Sequence, residues 1–105
     1  MTMPDPDMQC ADFVGLADCC ERTARLLELA SDALARGEWH SARRFTRLAA
    51  GTGGGALLKL ARSRPADDTE AIGLMARTHN IARALRRDAK AWRELAREET
   101  LRGMH

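Results

Sequence analysis

The last third of this 105-residue chain constrains its fold most, because residues 67–102 repeat apolar and basic side chains at helical spacing. Positions that alternate by four and three residues lie on one side of an α-helix. The mainly apolar set, which we call the last-helix stripe, is Leu74, Thr78, Ile81, Leu85, Asp88, Trp92 and Leu95. The pattern predicts one long amphipathic helix whose apolar side needs a partner helix.

A second set of positions in the same rhythm is basic and lies on another side of this helix. This basic stripe consists of Arg83, Arg86, Lys90, Arg93 and Arg97. At about 100° per residue, the centres of the two stripes lie roughly 140° apart. The basic stripe is either a solvated face with acidic neighbours or a surface for phosphates or an acidic protein.

The charge of the chain is unevenly distributed. Residues 1–38 carry eight acidic and three basic side chains, a net charge of −5, whereas residues 39–105 carry a net charge of +7. The formal total of +2 is too small to imply nucleic-acid binding by itself. The simplest interpretation is an acidic first helix that pairs with basic helices inside a bundle; the alternative is a basic outer face with its own function.

A similar three–four rhythm over residues 9–36 predicts the first helix. Its apolar side, the first-helix stripe, is Phe13, Leu16, Cys20, Thr23, Leu27, Ala30 and Leu34. Asp12, Asp18 and Glu21 suit the positive end of a helix dipole. Gly37 is expected to end or kink this helix.

The helical pattern resumes over residues 38–62, but four glycines between Gly51 and Gly55 interrupt it. Each glycine costs a helix about 1 kcal/mol relative to alanine, so the run is expected to loosen or break the second helix. After a turn at Pro65, Asp67 and Glu70 form the D-x-x-E pattern of a capping box for the last helix.

These segments predict an all-α fold, an antiparallel helical hairpin or three-helix bundle with a long C-terminal amphipathic helix. Residues 1–8 are expected to be a disordered tail, and residues 9–105 a single helical domain. The last helix could reach about 50 Å at 1.5 Å per residue. Because so long a helix exceeds the core of a chain this size, we expect a partner helix or a second copy to cover part of it.

The predicted partner-binding residues are Ile81, Leu85, Trp92 and Leu95. No pattern indicates an enzyme: His79 has no identifiable catalytic partner, and the glycine run lacks the GxxxxGK[ST] phosphate-binding pattern. Cys10, Cys19 and Cys20 lack metal-ligand or disulfide-framework spacing. We therefore expect a non-enzymatic protein without catalytic residues, metal or cofactor. No membrane span or leader is recognisable, and a cytoplasmic location is expected.

From Thr23 onward, the order of features resembles the FlgN-type flagellar export chaperones. The first helix passes through Leu26-Leu27-Glu28-Leu29 to a Gly37-Glu38 step, the second ends near Leu57-Leu58-Lys59-Leu60, and Asn80 lies near the start of the last. The resemblance implies a cytoplasmic chaperone whose last helix grips helices of hook-associated proteins. Leu85, Trp92 and Leu95 would then be the gripping residues.

The chain also resembles the oligomerisation hairpin of phage small terminase subunits, which form rings through long antiparallel helices and guide DNA to the packaging motor. This resemblance implies a homo-oligomer with weak, sequence-independent DNA binding through the basic stripe. The first functional hypothesis is thus a helical protein-binding adaptor, in particular a secretion chaperone. The alternative is a DNA-packaging adaptor.

Overall fold

The computed structural model of the protein describes residues 6–53 and 55–103, and the side chains of residues 13–51, 57 and 59–103. The helices are α1 (Pro6–Ala35), α2 (Trp39–Gly53), α3 (Gly55–Arg62) and α4 (Asp68–Gly103). No strand occurs in these ranges, so the predicted all-α fold with a long C-terminal helix is confirmed. In the same residues, no helix is both long and apolar enough to cross a membrane.

The start of α1 differs from the predicted boundary. The helix begins at Pro6, three residues before the predicted start at residue 9. The first five residues of the predicted tail lie outside the described part of the chain.

Gly37 ends α1, as the sequence predicts, because it adopts a left-handed backbone conformation with φ of 73°. The Glu38 N–H donates to the Ala33 carbonyl at 2.9 Å, and the Gly37 N–H donates to the Leu34 carbonyl at 3.0 Å. These two bonds form a Schellman motif, which satisfies carbonyl groups that the end of a helix leaves without partners.

The capping box predicted for the last helix is present at the start of α4. The Glu70 N–H donates to Asp67 Oδ1 at 2.8 Å. The Glu70 carboxylate accepts from the Ala66 N–H at 2.7 Å, one residue before the cap itself. Reciprocal bonds of this kind fix the first turn of a helix.

The glycine run divides the predicted second helix into two. α2 ends at Gly53 and α3 begins at Gly55; Gly54 lies outside the described residues. Leu60 and Ala61 of α3 line the same small cavity as Ala42 and Thr46 of α2, so α3 folds back alongside α2. The predicted break is confirmed, and its consequence is a short α2–α3 hairpin.

α1 and α4 lie side by side in antiparallel directions, because residues further along α4 contact residues nearer the start of α1. The line of contact contains small, fully buried side chains: Ala17 and Ala24 on α1, and Ala82 and Ala89 on α4. In each pair the two alanines are seven residues apart, so one helix side carries both. Small side chains at these positions allow the two helices to approach closely.

Leu74 and Thr78 of the last-helix stripe are buried as predicted, but from Ile81 onward the buried positions of α4 shift by one residue, to Ala82 and Ala89. Asp88, which the spacing places on the inward side, is exposed, and its neighbour Ala89 is buried instead. A carboxylate would lose its hydration in that contact, whereas a methyl group fits it at no such cost. The predicted position of Asp88 is wrong for this reason.

The α2–α3 hairpin covers only one end of the α1–α4 pair. The core cluster there contains Ala24, Leu27, Ala49, Leu57, Leu60, Leu74 and Ala82. The molecule is elongated, with dimensions of 58 × 28 × 16 Å. We call this four-helix part the bundle end. We call the remaining two-helix part the arm, and its described side chains belong to residues 13–20 of α1 and 88–103 of α4.

Candidate partner-binding face

The two stripes run from the bundle end onto the arm, and their exposure changes on the way. At the bundle end, Leu27 is fully buried and Leu74 is 5% exposed. On the arm, Leu16 is 38% exposed and Leu95 is 40% exposed. The apolar side of each helix thus continues beyond the helices that cover it.

A stacked pair of rings joins the two stripes on the arm. The ring centroids of Phe13 and Trp92 lie 5.6 Å apart, with an angle of 18° between the ring planes. Leu16 follows Phe13 by three residues and Leu95 follows Trp92 by three residues, so each leucine is the helical neighbour of one ring. The four side chains form one apolar surface, which we call the arm face.

Cys20 and Asp88 lie where the arm face meets the bundle end. The pKa of the Cys20 thiol is raised, first by burial and then by the negative charges of Asp88 and Cys19. A raised pKa keeps the thiol protonated at neutral pH, which does not suit a nucleophile or a metal ligand. Asp88 is exposed, and it places a negative charge beside the apolar surface.

On the basic stripe, Arg93 binds two acidic side chains of α1. Its Nε donates to Glu21 Oε1 at 3.0 Å, and its Nη2 lies 2.9 Å from Glu21 Oε2 and 2.9 Å from Asp18 Oδ1. This two-pronged hydrogen bonding lowers the pKa of Glu21 and raises that of Arg93. A guanidinium that meets a carboxylate in this way fixes orientation as well as charge.

Arg86 forms the second contact of this kind, with Glu28 of α1. Its Nε lies 3.3 Å from Glu28 Oε2, and its Nη2 pairs with Glu28 Oε1. The bond to Glu28 raises the pKa of Arg86. Because these ion pairs are exposed to solvent, they contribute little stability, but they favour one register between α1 and α4.

The interpretation that an acidic first helix pairs with a basic one is therefore confirmed for two of the five stripe residues. The role predicted for Asp18 and Glu21 at the helix dipole is wrong, because α1 begins at Pro6 and both lie beyond its first three turns. The dipole acts mainly within the first turn. Both carboxylates bind Arg93 instead.

The other three stripe residues, Arg83, Lys90 and Arg97, are exposed. They are spaced seven residues apart and follow one line along α4. No ion pair involves them within the ranges that the structure describes.

The four predicted partner-binding residues fall into two groups. Ile81 and Leu85 are half-buried and pack against the core cluster of the chain itself. Trp92 and Leu95 lie on the arm face, where Phe13 and Leu16 join them. The sequence pattern places those last two on the apolar stripe of the first helix, without a predicted binding role. The seven-residue spacing of Phe13, Cys20, Leu27 and Leu34 was the signal that one continuous line runs along α1.

The histidine, cysteine and acidic side chains of the described residues do not form a metal-binding cluster, since no group of three of them could hold a metal ion. His79 and His40 are exposed. An open crevice at the bundle end is lined by Leu34, Trp39 and Pro65, and the carboxylate of Asp67 beside it caps α4.

No protein-family model, curated protein or solved structure matches this chain. The candidate site is therefore defined by the geometry of the arm alone.

Proposed function

We propose that the protein is a non-enzymatic helical adaptor that binds an amphipathic helix of a partner protein on its arm face. The observation that carries this proposal is the pair of apolar stripes that leave the α2–α3 cover while their leucines remain about two-fifths exposed. Two adjacent helices present a shallow apolar groove, and a third helix with apolar residues at three–four spacing fits such a groove. At the bundle end, residues of α2 and α3 cover the stripes within the core cluster of the same chain.

The composition of the arm face supports the same proposal. Trp92 and Phe13 are stacked at its centre, and aromatic side chains are frequent centres of binding energy in protein interfaces. Leu16 and Leu95 flank them and would lose their remaining exposure under a third helix. Full burial of a leucine side chain is worth about 1.5–3 kcal/mol, so two partly exposed leucines and two rings supply a modest interface.

The specific form that we propose first is a cytoplasmic secretion chaperone of the flagellar export type. The resemblance to that family assigns gripping roles to Leu85, Trp92 and Leu95. Two of these three residues, Trp92 and Leu95, belong to the arm face, whereas the half-buried Leu85 packs against the core cluster of the chain.

The alternative function, a DNA-packaging adaptor, requires the basic stripe to meet phosphates. Arg86 and Arg93 bind carboxylates of α1, so Arg83, Lys90 and Arg97 would have to carry that role. Three bases in one row give weak and strongly salt-dependent DNA binding. Protein binding is the first proposal because Leu16 and Leu95 of the arm face remain about two-fifths exposed in the described chain.

The proposal is tested by photo-crosslinking in the source cells, with a photo-reactive amino acid in place of Leu95. The expected result is one major adduct with a protein other than this chain, whose crosslinked peptide has apolar residues at three–four spacing. The matched control carries the same group in place of Ile72, which is 62% exposed on α4 at the bundle end. The adduct should also disappear when Leu16→Asp is introduced. No adduct, or the same adduct from the Ile72 position, would contradict the proposal.

A further inference from the structure

We propose that in the free protein the arm face is covered by α2 of a second copy, so that two chains form a twofold dimer. This inference rests on the proposed function, because it names an occupant of the same face. The occupant is identified by length, by charge and by apolar contact, each of which can be read from the described residues.

The lengths of the helices define the gap. Ala24 of α1 and Ala49 of α2 belong to the same core cluster and mark where the two helices pack. Towards the arm, α1 continues for 18 residues beyond Ala24, about 27 Å, whereas α2 continues for only four residues beyond Ala49, about 6 Å. From Leu85 to its end, α4 also extends for 18 residues. The uncovered length is thus about 20 Å, and α2, with 15 residues, is about 22 Å long.

Two copies placed face to face in opposite directions would bring the α2 of each chain over the arm of the other. The bundle end of one chain would then lie over the arm of its partner. Such an interface is isologous: it uses the same two surfaces twice and closes at two subunits.

The outer side of α2 is complementary to the arm face in charge. A shallow groove on this side is lined by exposed residues that are basic apart from one leucine: His40, Arg43, Arg44, Arg47 and Leu48. The arm face carries the exposed carboxylate of Asp88 at its inner edge. A basic helix over this face would neutralise that carboxylate as water leaves, which avoids the cost of an unpaired buried charge.

Apolar contact is available at the same place. Leu48 is 53% exposed, although it lies within an otherwise basic surface. It is one helical turn from Arg44 and adjacent to Arg47, so a helix that directs arginine towards Asp88 also brings Leu48 towards Leu16 or Leu95. In the dimer, the exposed leucines of both surfaces would leave water together.

Dimer formation and partner binding would then use one surface. A partner helix has to displace α2 of the second copy before it reaches Trp92 and Leu95. The dimer would keep the arm face out of water until a partner arrives, and it would make partner affinity depend on the concentration of the protein.

Sedimentation equilibrium of the full chain at low salt tests the inference. The unmodified chain should dimerise, and the double variant Arg44→Glu/Arg47→Glu should weaken dimerisation by at least about tenfold, because it removes the contact with Asp88 at both symmetry-related sites. Asp88→Arg alone should weaken it similarly, and the combination of all three changes should restore it. The matched control is Arg83→Glu/Arg97→Glu, which alters two exposed bases of the basic stripe and should leave the dimer intact.

A monomeric wild-type chain would overturn the inference, as would a dimer that persists in the α2 variant or is not restored by the combined charge reversal. Circular dichroism shows whether each variant keeps its helices. The photo-crosslinking experiment separates the two proposals. If the monomeric Arg44→Glu/Arg47→Glu variant still forms the partner adduct at position 95, partner binding stands on its own. If the dimer responds as expected but no partner adduct forms, only the proposed function fails.

Discussion

The bundle end and the arm contain the same two stripes of apolar residues, but they bury them to different extents. Leu27 and Leu74 have almost no exposed surface under the α2–α3 hairpin, whereas Leu16 and Leu95 keep about two-fifths of theirs. The residue types are alike, so the difference arises from the length of the covering layer. We infer that the bundle end supplies most of the stability, and that the arm is available for binding.

The largest expected effect is a difference between the two ends in how much a leucine contributes to the free energy of unfolding. Leu27→Ala should lower the free energy of unfolding by about 2–5 kcal/mol, because it leaves a cavity in the buried cluster. The matched change Leu16→Ala should lower the free energy of unfolding clearly less, because the Leu16 side chain is already partly in contact with water. Urea unfolding followed by circular dichroism measures both. Equal losses would show that the two ends do not differ in the way described.

A smaller effect is expected from the ring pair that holds the arm together. A double-mutant cycle with Phe13→Leu and Trp92→Leu should give a coupling energy of about 0.5–1.5 kcal/mol, the usual value for stacked aromatic side chains. The cycle is measured by urea unfolding of the four proteins. If the losses in unfolding free energy of the two single variants add up to that of the double variant, the two rings do not interact in solution.

The smallest effect concerns the ion pairs between the helices of the arm, and it depends on pH. Because Arg93 lowers the pKa of Glu21, this interaction stabilises the fold above the ordinary carboxyl pKa of about 4.5. The stabilisation is lost as the pH falls through the lowered pKa in the folded state. Arg93→Gln should therefore be slightly less stable than wild type at pH 7, and the difference should vanish in acid.

Thermal unfolding of both proteins between neutral and acidic pH would show this convergence. Arg83→Gln serves as the control, since Arg83 is an exposed base of the same helix without an ion pair among the described residues. Its difference from wild type should not change in the same pH range. If the difference in unfolding temperature between wild type and Arg93→Gln persists or grows in acid, the assigned role of Glu21 is contradicted.

Several elements could be predicted from sequence because their causes are local. Gly37 ends α1 through its own backbone conformation, and Asp67 and Glu70 cap α4 through bonds within a single turn. The break in the glycine run follows from the helix propensity of glycine. In each case the necessary interaction partners are at most five residues apart in the chain.

The contact between α1 and α4 was harder to predict. Ala82 and Ala89 are buried there, but the chain is rich in alanine, and the larger side chains of the neighbouring stripe give a stronger signal. The partners of Arg86 and Arg93 are 58 and 72 residues away in sequence. Their pairing depends on the antiparallel register of two helices, which no local pattern specifies.

The sequence by itself determined that the chain is helical, where most helices end, and that α4 is long and amphipathic, because periodicity and capping act over a few residues. Only the tertiary structure decided which half of each stripe is covered, because that depends on how far the α2–α3 hairpin reaches along α1 and α4. It also decided which bases meet carboxylates, since ion pairing requires side chains from distant segments to come within about 3–4 Å. The arm face also depends on the tertiary structure. Its apolar residues can be identified in the sequence, but they are exposed because α2 and α3 are too short to cover them.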